Sequence, residues 1–243
     1  MVILRRIWDS IVNFIFPQQC CICKSFLGES GCLCISCASK FDVISEPKCE
    51  CCGYPFEFKL KSKNQKLLCP NCIKKPYKFD KAISAVRYDD FSKKLILPFK
   101  HGDKTQYAKP ISTIMIMAGR KLKDDVDVIM PVPIHLTRML KRKYNQASLL
   151  SSNIAKAYQK PVLYSTLLRS KSTPSQGHLS SKERKQNVSG AFIVKKSQRI
   201  KGKNILLIDD VFTTGATVNE CAKVLKKNGA NKVFVLTFAR AIK

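Results

Sequence analysis

The chain has 243 residues, 45% of them hydrophobic and 25% charged, which is enough apolar content for one large core or two modest ones. No apolar run reaches the roughly 18 residues that span a bilayer, so a helical membrane-spanning protein is excluded. Forty-four Lys and Arg stand against 17 Asp and Glu, a formal net charge of +27. The excess is concentrated: residues 135–203 hold 16 basic residues and a single acid, Glu183. An evenly Lys-rich composition would raise the whole chain alike, so this stretch points to a polyanionic partner.

At the N-terminus, Leu4, Ile7, Trp8, Ile11 and Ile15 recur at helical spacing. Arg5, Arg6 and Asp9 interrupt the run and no small-residue cleavage site follows it, so it is a poor signal peptide. The segment reads as a helix packed on its own domain; a membrane-surface helix is the alternative.

Eleven of the 12 cysteines fall between residues 20 and 72, and they include four Cys-x-x-Cys pairs: Cys20/Cys23, Cys34/Cys37, Cys49/Cys52 and Cys69/Cys72. Thiolates two residues apart turn inward on one tight loop, and two such loops close a tetrahedral zinc site. Lys24, Gly53 and Lys74–Lys75 supply a turn or positive charge beside them. A secreted disulfide framework is the competing reading, but paired Cys-x-x-Cys spacing without a secretion signal suits a metal better. Consecutive pairs give two zinc sites; a cross-braced arrangement and a single occupied site stay open. Cys21, Cys32 and Cys51 read as bystanders. A region this poor in aliphatic periodicity should draw much of its folding energy from metal.

From about residue 80 strands and helices alternate. Residues 82–88 and 126–130 read as strands with a helix near 105–122 between them; 145–159 reads as a helix and 161–169 as a strand. Residues 204–209 read as a strand around the continuous apolar run Ile205–Ile208, as in a parallel strand buried on both faces. In 217–229, Val218, Cys221, Ala222 and Leu225 share one helical face with Gly229 as the stop, so Cys221 is a core residue. Residues 232–238 return as a strand. This is an α/β pattern with crossover helices. The division predicted is 1–79 for the N-terminal helix and Cys-rich module, and 80–243 for the α/β domain.

The segment ILLIDDVFTTGATV, residues 205–218, fits a single task. A buried strand ending at Asp209 and Asp210 sets two carboxylates at the carboxyl edge of a parallel sheet, where such folds bind ligands. Thr213, Thr214, Gly215, Ala216 and Thr217 then turn into a helix N-terminus whose free N–H groups and dipole suit a phosphate. Gly215 lets the backbone approach the anion closely. Carboxylates beside a phosphate cradle match a ligand whose hydroxyls neighbour its phosphate, as in ribose 5-phosphate.

Residues 205–218 resemble the phosphoribosyl-pyrophosphate (PRPP) motif of type I phosphoribosyltransferases. The wider pattern resembles the competence protein F family, through the Cys-x-x-Cys pairs, residues 95–103 (LILPFKHGD), 129–135, 142–147 (RKYNQA), 169–176, 182–192 and the PRPP motif. One departure is Lys143, where the family usually has Gly. The resemblance implies a zinc-ribbon-like module followed by a type I phosphoribosyltransferase-like sheet with flanking helices. It implies that Asp209 and Asp210 hold the ribose hydroxyls, directly or through Mg²⁺-bound water, and that Val211 and Thr213–Thr217 surround the 5′-phosphate. The turn near Pro131–Pro133 would face the diphosphate, with Arg138 and Arg142 as cationic contacts. Residues 170–187 would form the mobile loop, with Arg169, Gln176, Arg184 and Asn187 as its functional residues.

Two function classes follow, and a redox sensor built on the Cys-x-x-Cys pairs is a weaker third. The resemblance implies a cytoplasmic DNA-uptake protein, peripheral to the inner membrane, that handles incoming single-stranded DNA beside uptake-channel or helicase components. The alternative is an active phosphoribosyltransferase in nucleotide salvage or nucleic-acid modification. Displacing diphosphate from ribose needs Mg²⁺ and cationic side chains but no protein nucleophile. Zn²⁺, one or two per chain, and Mg²⁺ with PRPP are the cofactors implied. Among Tyr144, Tyr158 and Tyr164, Tyr144 is the aromatic expected to be exposed for stacking on bases.

Overall fold

The computed structural model describes residues 18–27, 31–58, 67–101, 104–135, 144–171 and 181–242. The expected N-terminal helix, Arg138, Arg142 and Gln176 lie outside them, as do the side chains of Lys182 and Arg184. Two compact units result, residues 1–41 and 42–243. The change of composition falls at 79/80, whereas the compact units divide at 41/42, so the second cysteine group lies inside the larger unit.

In the smaller unit Lys24 takes a left-handed conformation (φ 65°) and donates its N–H to the Cys20 carbonyl at 2.9 Å, closing the turn that carries Cys20 and Cys23. The helix α1 (Ile35–Ala38) opens on Cys34, whose sulfur accepts from the Cys37 N–H.

The larger unit contains the helix α2 (Pro70–Lys74) and is built on a four-stranded parallel sheet, order β1-β6-β5-β2. Its strands are β1 (Lys81–Arg87), β2 (Val128–Pro131), β5 (Ile205–Phe212) and β6 (Val233–Arg240). β6 is buried along all eight residues, as a central strand covered on both faces must be. Ile205, Leu207, Val233 and Val235 share one core with Val218, Cys221 and Leu225 of the crossover helix Ala216–Lys227. On the opposite face Gly119 allows close approach: a Cβ there would lie 2.7 Å from Tyr158 Oη and 2.8 Å from Leu236. That face carries the helices Ala108–Gly119 and Gln146–Tyr158.

Four expectations change. The helix Asp90–His101 was not foreseen; Asp89 and Ser92 cap it reciprocally (Asp89 N–H to Ser92 Oγ 2.9 Å, Ser92 N–H to Asp89 Oδ1 2.7 Å). The 161–169 strand is divided. Val162 bridges to Ile129 at the sheet edge, the chain bends at Tyr164–Thr166, and β3 (Leu167–Arg169) pairs antiparallel with β4 (Phe192–Val194). β5 runs through both acids to Phe212 instead of ending at them. Within the expected mobile loop, Ser181–Val188 is helical. Among the described residues no helix is long and apolar enough to cross a membrane.

Candidate functional site

β5 lies between β2 and β6. The helix Gln146–Tyr158, which follows β2 in the sequence, covers one face of the sheet, and the helix Ala216–Lys227, which follows β5, covers the other. Connections that leave two neighbouring strands toward opposite faces open a crevice at their carboxyl ends. Asp209 and Asp210 lie at that end, and because successive strand residues face opposite ways they serve its two sides. Asp210 meets Lys100, whose Nζ is 3.1 Å from its Oδ2; both side chains are less than a quarter exposed (24% and 14%). Burial, reinforced by the charge of Asp210, pushes the Asp209 carboxyl up to about 7, while the positive charges of Lys100 and Arg169 act on it in the opposite sense.

Beyond Phe212 the chain turns through Thr213 and Thr214 to Gly215, which caps the helix in the left-handed region at φ 72°. Only glycine suits this place. A Cβ would also come 2.5 Å from Phe212 Cζ and 3.0 Å from Tyr77 Cε1. The Ala216 N–H points back to Thr214 Oγ1 at 3.4 Å, and Tyr77 Oη donates to the Thr214 carbonyl at 3.0 Å. The result is a braced turn at the amino end of a 12-residue helix, with part-buried threonines around it. A turn of this kind offers free N–H groups that can hold a phosphate, and adjacent carboxylates can accept hydroxyl hydrogen bonds.

The eight paired cysteines form two groups, Cys20/Cys23/Cys34/Cys37 and Cys49/Cys52/Cys69/Cys72, with the four sulfurs of each group within 4.8 Å of one another. Consecutive pairing is therefore the arrangement adopted. The sulfurs of Cys23 and Cys34 are 3.6 Å apart and those of Cys52 and Cys69 3.7 Å. Tetrahedral zinc at a Zn–S distance of about 2.3 Å requires about 3.8 Å between sulfurs. Backbone N–H groups already support the sulfurs: Cys37 N–H to Cys34 Sγ is 3.4 Å and Cys69 N–H to Cys49 Sγ 3.3 Å. A hydrogen bond from Cys52 holds the Cys49 thiol down to about 4, and the same bond drives Cys52 up. Thiols this close share protons and cannot all ionise without a cation between them. Both groups are consistent with zinc. Cys221 is fully buried in the helix core, as expected, and burial raises its thiol well above the ordinary value.

The structure brings Asp209, Asp210, Val211, the Thr213–Thr217 turn and Arg169 to one crevice. Arg169 ends β3 with its guanidinium 5.5 Å from the Phe192 ring centroid. Asn187 is half-buried on the Ser181–Val188 helix, whose following turn is tied to Glu220 through the Gly190 N–H at 3.0 Å. Sequence reading missed Lys100 and Tyr77. Lys100 sits in the LILPFKHGD segment, and its helix end is held by Tyr144 Oη and Gln146 Nε2, which donate to the Phe99 carbonyl at 2.9 and 3.4 Å. Tyr144 is thus packed rather than displayed; Tyr158 is buried, and Tyr164, 50% exposed, is the one that faces solvent.

The family model for a double zinc ribbon domain matches residues 11–73, and that for a phosphoribosyl transferase domain matches residues 133–242. Competence protein F of Haemophilus influenzae is 31% identical over 239 residues, covering 95% of this chain and 100% of that protein. The chain belongs to the competence protein F family. DNA utilization protein YhgH of Escherichia coli K12 is 27% identical over 93% of this chain and 98% of its own. Competence protein ComFC of Bacillus subtilis is 26% identical over 86% and 84%. In this family setting the larger unit is a phosphoribosyltransferase-type fold with a parallel sheet, and the cysteine groups belong to a double zinc ribbon.

Proposed function

We propose that this protein handles incoming single-stranded DNA on the cytoplasmic side of the inner membrane during natural transformation, and that its larger unit binds PRPP with Mg²⁺. The observation that carries the second part is the junction of Asp209 and Asp210 with the Gly215 turn at the carboxyl end of β5. The turn suits the 5′-phosphate and the carboxylates suit the ribose hydroxyls, directly or through a hydrated Mg²⁺. Lys100, paired with Asp210, and Arg169, whose charge acts on Asp209, supply positive charge beside the acids, which suits a ligand that also carries a diphosphate. The names of the relatives, competence and DNA utilization proteins, support the DNA part, as do the 16 basic residues of 135–203. DNA-uptake channel or helicase components are the protein partners this reading implies.

PRPP with Mg²⁺ should raise the melting temperature of the zinc-loaded protein by mass action, and the double change Asp209→Ala/Asp210→Ala should abolish the shift. A double variant that binds as the wild type does would remove the acids from the ribose site. The intact acid pair with its flanking cations also favours a second reading, an active phosphoribosyltransferase. Diphosphate released from PRPP in the presence of bases, nucleosides or DNA separates transfer from binding alone.

A further inference from the structure

The Cys49/Cys52/Cys69/Cys72 group and the Thr213–Thr217 turn are joined by an unbroken set of contacts within the larger unit. Tyr77 follows Cys72 by five residues. Its hydroxyl donates to the Thr214 carbonyl across 137 residues of sequence, and its ring stacks on Phe79 (centroids 4.6 Å apart) and stands edge-on to Phe212 at 6.1 Å. Arg240, 5% exposed, reaches the same place from the end of β6. Its Nη1 donates to the Cys52 carbonyl at 2.6 Å, its Nη2 lies 3.5 Å from Cys52 Sγ, and its guanidinium covers the Phe212 ring at 4.4 Å. One residue past Tyr77, the Lys78 N–H donates to Asn219 Oδ1 at 2.6 Å, tying the same segment to the helix that the turn begins.

We propose that this second cysteine centre, when it holds its metal, is the clamp that keeps the 213–217 turn in its anion-binding shape, with Tyr77 and Arg240 as the positioning residues. A divalent ion held by four thiolates carries a net negative charge, and a buried guanidinium beside one of those sulfurs is its natural complement. Without the metal the Cys52 loop loses the ion that ties it to Cys69 and Cys72, and with it the fixed carbonyl and sulfur that hold the Arg240 guanidinium over the Phe212 ring. Tyr77 carries the same dependence along the chain, because the loop that places it leaves the centre at Cys72. The ligand named here rests on the sugar-phosphate reading of the turn; the mechanical coupling does not.

The test uses the full-length, zinc-loaded protein. Tyr77→Phe keeps the ring and removes only the hydroxyl; Arg240→Lys keeps the charge and removes the fork that bonds Cys52 and covers Phe212. Hydrogen–deuterium exchange without ligand should show the amides of residues 213–217 exchanging at least about threefold faster in both variants, with the zinc content unchanged. Calorimetry should show ribose 5-phosphate binding about tenfold more weakly, the loss expected for one hydrogen bond that shapes a site, with inorganic diphosphate unaffected. Exchange at 213–217 equal to wild type in both variants overturns the clamp, and so does an equal loss for both anions, which marks general loosening. Faster exchange in a protein whose wild type binds no ribose 5-phosphate leaves the clamp standing and removes the sugar-phosphate reading instead.

Discussion

Burial raises the Asp209 carboxyl to about 7, and in the proposed sugar-phosphate site the ionised form is the stronger acceptor for hydroxyls and the one that attracts Mg²⁺, so on that proposal stability and binding pull against each other at this residue. The folded protein holds the proton to higher pH than the unfolded chain, whose Asp titrates near 3.8. The group's contribution to stability is therefore complete below about 4 and is lost as pH climbs through about 7. Melting temperatures followed from pH 5 to 8 should fall in the wild type relative to Asp209→Asn, which has no proton to lose. PRPP affinity should run the other way, about tenfold weaker at pH 6 than at pH 8 by calorimetry. Gly215→Ala is the companion case. The left-handed backbone costs an alanine about 1–2 kcal/mol, and the 2.5 Å approach to Phe212 adds to it, so thermal unfolding should begin several degrees lower and PRPP should no longer protect. Both residues were legible in the sequence because their chemistry is local, an acid pair and a glycine beside threonines. Lys100 and Tyr77 were not, because each reaches the site from more than 100 residues away and carries no neighbouring signal of its own.

The same contrast governs the elements. Cys-x-x-Cys spacing determines a tight loop by itself, so all eight metal-ligand candidates were readable, and only their grouping needed three dimensions. The helix Asp90–His101 was hidden by Pro98, which breaks the expected helical pattern even though Asp89 and Ser92 cap the start. The 161–169 segment looked like one strand because its apolar residues are nearly continuous; pairing with Phe192–Val194, invisible to a local window, bends it away. What local spacing did not reveal is that the second cysteine group is part of the core beneath the sheet, where Cys49, Cys52, Cys69 and Cys72 pack with Phe79, Ala82 and Phe212. Elemental analysis should give two zinc ions per chain. Cys52→Ser should reduce this to one and also lower the main unfolding transition measured by calorimetry, because it empties a site inside that core.

At the scale of the molecule, charge and connectivity dominate. Sixteen basic residues against one acid over 135–203 should release counterions when nucleic acid binds, so affinity for a labelled single strand should fall steeply with salt in anisotropy titrations. Reversing Lys182, Arg184 and Lys185 to Glu should weaken binding and flatten the log–log salt slope by about 2, at about 0.7 for each phosphate no longer neutralised. Undetectable binding at low salt by folded, zinc-loaded protein would leave the charge without this explanation and favour the enzyme. Connectivity has a different consequence. β6 is a central strand, yet it emerges from synthesis after every other strand, and the guanidinium that completes the second cysteine centre trails Cys52 by 188 residues. At about 5–20 residues per second, a ribosome takes roughly 10–40 s to deliver one after the other. Through that interval the nascent cysteine loops have no complete sheet to rest on, so any metal bound then would be held by the thiolates and their own tight loops alone.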